Sequence, residues 1–137
     1  AILFAQRGQS RVAFPVVDRH IRNRYIRTTA ASRKKRGMHD LSLYMRRDIA
    51  ENPEGTRYAY QFDLKSFYDM IEGDFIMSCV RHLFKDKRLI DILSSCVYSH
   101  EGLVKGRRSS QSLANLLLSV HLDHYLKDEL GVRYFYR

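Results

Sequence analysis

The chain has 137 residues, 45% of them hydrophobic and 28% charged, which suits one modest folded domain and excludes a disordered or low-complexity chain. Lys plus Arg number 24 against 15 Asp plus Glu, and the resulting +9 favours a polyanionic partner, nucleic acid first and an anionic membrane second. Nothing has the form of a signal peptide or the length of a membrane span, and Cys79 and Cys96 are too few and too separated for a zinc site or a disulfide framework. Reduced thiols in a cytoplasmic protein are the expectation.

Basic residues crowd the front of the chain, from Arg7, Arg11 and Arg19 to Arg33, Lys34, Lys35 and Arg36. Ile2–Gln6 and Val12–Val16 flank Arg7-Gly-Gln-Ser10 and are predicted to form a hairpin. Residues 30–36 read as a loop, and Gly37 opens a helix over His39–Ile49, where Leu41, Met45 and Ile49 recur at four-residue spacing. Asn52-Pro-Glu-Gly55 is a turn. Arg57–Asp63 alternates Tyr58, Tyr60 and Phe62 with Ala59, Gln61 and Asp63, which predicts a strand ending on Asp63.

Two helices are predicted next. Asp74 caps one with Ile76, Val80, Leu83 and Phe84 on its apolar face, and Asp86 caps the other with Leu89, Ile90, Leu93 and Val97 inward. After a loop with Gly102 and Gly106, Ser109 or Ser110 caps a long helix that buries Leu113, Leu117 and Val120 and stops at Gly131. Val132–Arg137 closes the order as a strand. The expected class is α+β, a layered sheet with helices on one side. The chain begins without Met inside an apolar run and stops on Tyr134-Phe-Tyr-Arg137, as a segment of something longer would.

Asp63 is the acid of most chemical interest. Two-metal phosphoryl transfer needs carboxylates on rigid backbone, and an acid at a strand end supplies that rigidity. An aspartate in that place also serves as a turn residue or a helix cap. Arginines at Arg7, Arg11, Arg19, Arg107 and Arg108 suit phosphate through their forked donors, and a solvated basic face is the plain alternative for each. His20, His82, His100, His121 and His124 show no metal-ligand spacing.

Three segments, taken in order, carry a family resemblance. Asp63-Leu-Lys-Ser-Phe-Tyr68 resembles the first catalytic motif of bacterial reverse transcriptases of the group II intron-like, retron and diversity-generating types. Gly102-Leu-Val-Lys-Gly106-Arg-Arg-Ser-Ser-Gln111-Ser-Leu-Ala-Asn115 is similar to their glycine-rich segment, and Leu122-Asp123 through Arg137 is similar to the approach to their Asp-Asp motif. The resemblance implies fingers at residues 1–57 and a palm at 58–137, an antiparallel sheet with helices packed on one side, incomplete at the C-terminus. It implies magnesium, or manganese, on Asp63. It implies a nucleotide pocket of Tyr68, Gly106, Ser110 and Gln111, with Tyr68 as the gate against a ribose 2′-hydroxyl. Arg7, Arg11 and Arg19 look like the basic residues that the family sets on template and triphosphate.

The activity so implied is RNA-directed DNA polymerisation with an RNA template, a DNA primer and deoxynucleotides. The family's Asp-Asp pair falls after the position of Arg137, so this piece alone is expected to be inactive, and Asp123 reads as structural rather than as a substitute. Val104 stands where the family has proline, and the stretch from Arg19 to Ser32 is shorter than the family pattern. The rival expectation is a non-catalytic module that binds RNA or another nucleic acid. An exposed edge at Val132–Arg137 would permit a homodimer.

Overall fold

A computed structural model describes residues 14–31, 33, 35–99, 103 and 108–137. Its regular elements are helices: α1 at residues 14–22, α2 at Met38–Glu51, the single turn α3 at Phe67–Met70, α4 at Gly73–Leu83, α5 at Lys87–Val97 and α6 at Arg108–Leu118. Past Leu118 the last helix continues as π-helical turns, Ser119–Asp123 and Tyr125–Glu129.

The expected α+β class is therefore corrected, because no strand and no sheet occur among the described residues. The reasons differ by segment. Residues 1–13 lie outside the described residues, so the first strand of the hairpin and the Arg7–Ser10 turn cannot be placed. Residues 14–16 belong to α1, where Phe14, Val17 and Ile21 are buried at the three- and four-residue spacing of a helix rather than the alternation of a strand. Residues 57–63 keep their alternating aromatics but gain no strand partner: residues 58–64 make no backbone hydrogen bond among the described residues, and Tyr60 is 96% exposed. Alternation specifies a strand only where another strand accepts it. Val132–Arg137 makes a single pairing, Arg137 N–H to the Thr28 carbonyl at 3.1 Å and Ala30 N–H to the Arg137 carbonyl at 2.7 Å. The sheet edge on which a homodimer would rest is thus missing among these residues.

Helices α2, α4, α5 and α6 lie where their sequence signals put them, whereas α1 and α3 carry no such expectation. Asp86 caps α5 by accepting a hydrogen bond from Leu89 N–H at 3.1 Å, and Leu93 and Val97 are buried along that helix. In α4, Ile76, Met77, Cys79 and Val80 are buried, but the cap is Glu72, and Asp74 instead accepts a hydrogen bond from the Tyr98 hydroxyl. Gly73 allows that close packing: a Cβ there would come within 3.0 Å of the Tyr98 ring. Gly131 takes the left-handed φ of 64° that ends the last helix, and Val132 N–H closes onto the Leu126 carbonyl at 2.8 Å. Gly55 N–H bonds the Asn52 side chain in the expected turn.

One core gathers α1, α4, α5 and α6: Val17, Ile21, Ile76, Met77, Val80, Leu93, Leu113, Leu116 and Leu117 are all nearly sealed from solvent. It draws on both sides of residue 57. Helix α2 contributes no buried residue, and Met45 and Ile49 are exposed. Polar contacts hold it instead, with Asp48 accepting from the Tyr136 hydroxyl at 2.5 Å and Asn52 donating to Tyr134 at 3.2 Å.

Candidate nucleotide and nucleic-acid site

Asp63 and Tyr68 stand on either side of a sharp turn. The chain reverses at Ser66, whose φ of 52° is left-handed, and the Ser66 carbonyl then accepts from Asp69 and Met70 N–H to start α3. A non-glycine residue in that conformation costs about 1 kcal/mol, so packing beyond the turn must hold it. Tyr68 supplies part of that packing. Its ring meets Phe67 edge-on at 5.9 Å and leans on the core, and its carbonyl accepts a hydrogen bond from Leu103 N–H at 3.0 Å. Asp63 is exposed, with no ion pair or hydrogen bond among the described residues.

The other expected site residues separate into groups. Ser110 is buried in α6, and Gln111, next to it, is exposed. Arg19 lies exposed on α1. Arg108 begins α6, while Arg7, Arg11, Gly106 and Arg107 lie outside the described residues. The structure thus bonds the Tyr68 carbonyl to Leu103 at the entry of the glycine-rich segment, while Arg107 lies outside the described residues.

Holding two cations about 3.5–4 Å apart takes more than one carboxylate. Among the described residues no group of three or more His, Cys, Asp or Glu is placed to hold a metal ion, so Asp63 by itself does not fit a two-metal centre.

The segment leading to Arg137 is built around a buried ion pair. Asp123, fully buried, receives Arg137 Nε at 2.9 Å and Nη2 at 2.7 Å, and the Thr29 hydroxyl donates to it at 3.1 Å. Arg137 Nη1 donates to the Asn115 side chain at 2.6 Å, and Asn115 donates in turn to the Ala31 carbonyl. The structural reading of Asp123 agrees with this. Sequence reasoning saw the acid but not its partners, since Thr29 is 94 positions away.

π-Helical widening serves the same junction. Ser119 Oγ and His124 Nε2 both reach the Arg24 carbonyl, at 2.7 and 2.9 Å. In an α-helix, side chains five residues apart diverge by roughly 140°, so the two would not share an acceptor. The carbonyl of Arg24, followed by the Asp128 carboxylate, favours the imidazolium and raises the His124 pKa.

Buried Asp18 accepts from Ser112 at 2.6 Å and pairs with Arg22 at 2.6 Å, fastening α1 to α6. Cys79 Sγ lies 3.1 Å from His121 Nε2, but burial pushes the thiol pKa up, so this is a protonated packing contact rather than a nucleophile.

No family model, curated protein or solved structure matches the chain. The functional reading therefore rests on these residues and their chemistry. No helix among the described residues is long and apolar enough to cross a membrane.

Proposed function

We propose that this chain is the nucleotide- and template-holding portion of an RNA-directed DNA polymerase. The three motif segments occur in the order such a polymerase requires, and the junction at Tyr68 carries the reading. There the Tyr68 carbonyl, five residues after the candidate metal-binding aspartate, accepts a hydrogen bond from Leu103 N–H at the entry of the glycine-rich segment. A partly buried tyrosine between an exposed carboxylate and a serine-rich helix start is the arrangement that would check a sugar while a metal-bound triphosphate lies beside it.

In this reading Asp63 offers one carboxylate to magnesium or manganese, and Tyr68, Gly106, Ser110 and Gln111 shape the nucleotide's surroundings. Arg7, Arg11, Arg19, Arg107 and Arg108 attract phosphate of the RNA template, the DNA primer and the incoming deoxynucleotide. The described residues bind and orient, and transfer itself requires acids beyond Asp63.

Asp63→Asn preserves shape while removing the charge a cation needs. It is expected to weaken manganese-dependent binding of a deoxynucleoside triphosphate roughly tenfold, read by water-proton relaxation, and to leave RNA–DNA hybrid binding unchanged. In a polymerase that carries the whole motif series, the same substitution is expected to abolish primer extension. Equal metal-dependent nucleotide binding by both forms would remove Asp63 from the metal site.

A second reading, a nucleic-acid-binding module without catalysis, is favoured because no group of three or more His, Cys, Asp or Glu is placed to hold a metal ion among the described residues. It predicts hybrid binding that is indifferent to manganese and to Asp63→Asn.

A further inference from the structure

Tyr44, one turn before Asp48 on α2, gathers three guanidiniums. Arg27 lies over its ring at 4.8 Å, Arg47 at 5.5 Å and Arg36 at 5.9 Å, and Arg36 Nη1 donates to the phenol oxygen at 2.6 Å. Arg47 is neutralised by Asp48 at 3.0 Å and lies near Glu51 at 3.7 Å. Arg27 and Arg36 have no carboxylate within ion-pair distance among the described residues, and the nearby Asp48 is already taken by Arg47 and Tyr136.

Stacking arginine on an exposed ring is a common stabilising contact, worth about 0.5–1 kcal/mol at a surface. It does not account for two unneutralised guanidiniums converging on one hydroxyl, because their repulsion opposes the arrangement. Each keeps donors unspent after the contact with Tyr44, and Arg27 is exposed. A tetrahedral oxyanion above the phenol would satisfy those donors, offset both charges and accept the Tyr44 O–H as well.

The phenol registers the same field. The Arg27 guanidinium, and then that of Arg36, holds Tyr44 below the ordinary tyrosine pKa, whereas burial lifts Tyr25 to about 12.

We propose that Arg27, Arg36 and Tyr44 form a phosphate-binding cage that takes a phosphodiester group of a bound nucleic-acid strand. The choice of a strand rests on the polymerase reading, while the affinity for a phosphate oxyanion rests on the cage alone. The cage lies beside the docked 134–137 segment, since the next turn of α2 carries Asp48, which bonds Tyr136. A strand held there passes next to the peptide that ends at Arg137.

Fluorescence anisotropy with a labelled short oligouridylate tests the cage. Arg27→Gln and Arg36→Gln are each expected to weaken binding roughly tenfold, and the double variant to flatten the log–log salt slope by about 0.7, the share of one phosphate on a single strand. Arg88→Gln, on the exposed side of α5, is expected to behave as wild type. Arg36→Lys keeps the charge but not the fork, and should restore only part of the affinity.

A second readout follows Tyr44 itself, through the phenolate absorbance that is lost in Tyr44→Phe. Its titration midpoint should rise when oligouridylate or inorganic phosphate is added. If neither probe moves the midpoint, or if the Gln variants bind oligouridylate with wild-type affinity and salt slope, the cage is overturned. The second of those results leaves the polymerase reading standing. If inorganic phosphate moves the midpoint but the wild-type chain binds no oligouridylate, the cage holds a free anion and the strand-binding reading fails.

Discussion

At the scale of single residues, the strongest local commitment is the Asp123–Arg137 pair. Both oxygens of a fully buried carboxylate are used, and the guanidinium also reaches Asn115, so three separated parts of the chain meet at one charge. Such a pair is weak evidence for high stability, because desolvation offsets much of its attraction. Breaking it is another matter. Asp123→Asn leaves the arginine without its counter-charge and is expected to cost about 3 kcal/mol, measured by urea unfolding, with release of the 132–137 segment visible as faster amide exchange. Asp123→Asn and Arg137→Met together should cost less than Asp123→Asn alone, since no uncompensated charge is left behind.

Elements show how far local signals reach. Asp86 is followed by an amphipathic run and caps α5 as its type demands, so Asp86→Ala is expected to cost about 1 kcal/mol with α5 otherwise intact, measured by thermal unfolding. Helix ends are legible because caps and left-handed glycines act within a few residues, as Gly131 does. The 57–63 segment shows the opposite case. Tyr58, Tyr60 and Phe62 alternate as a strand should, yet the pattern names only the faces and supplies no partner. Phe62 stacks on Phe135 at 6.3 Å, a side-chain contact without a ladder beneath it. In α1 the apolar run around Phe14 reads as a short strand, and the helical burial of Phe14, Val17 and Ile21 is decided only by the core they enter.

For the whole molecule, charge and topology have to be weighed together. The +9 excess is not uniform: Arg27 and Arg36 converge unneutralised at Tyr44, while Arg22 and Arg137 are spent on the buried acids Asp18 and Asp123. Net charge therefore overstates the surface available to phosphate. If single-stranded RNA is held through about three phosphates, the log–log salt slope should be near −2, and a flat dependence would count against nucleic acid as the partner.

By itself the sequence determined α2, α4, α5 and α6, the Asp86 cap, the stop at Gly131, the basic excess and the order of the motif residues, because each of these is written within one or two turns of chain. Only the tertiary structure decided that residues 57–63 find no strand partner among the described residues, that Asp123 belongs to Arg137, and that Arg27 and Arg36 both reach Tyr44. Strand pairing, burial of charge and convergence of like charges depend on what lies opposite a residue in space, which no local pattern specifies.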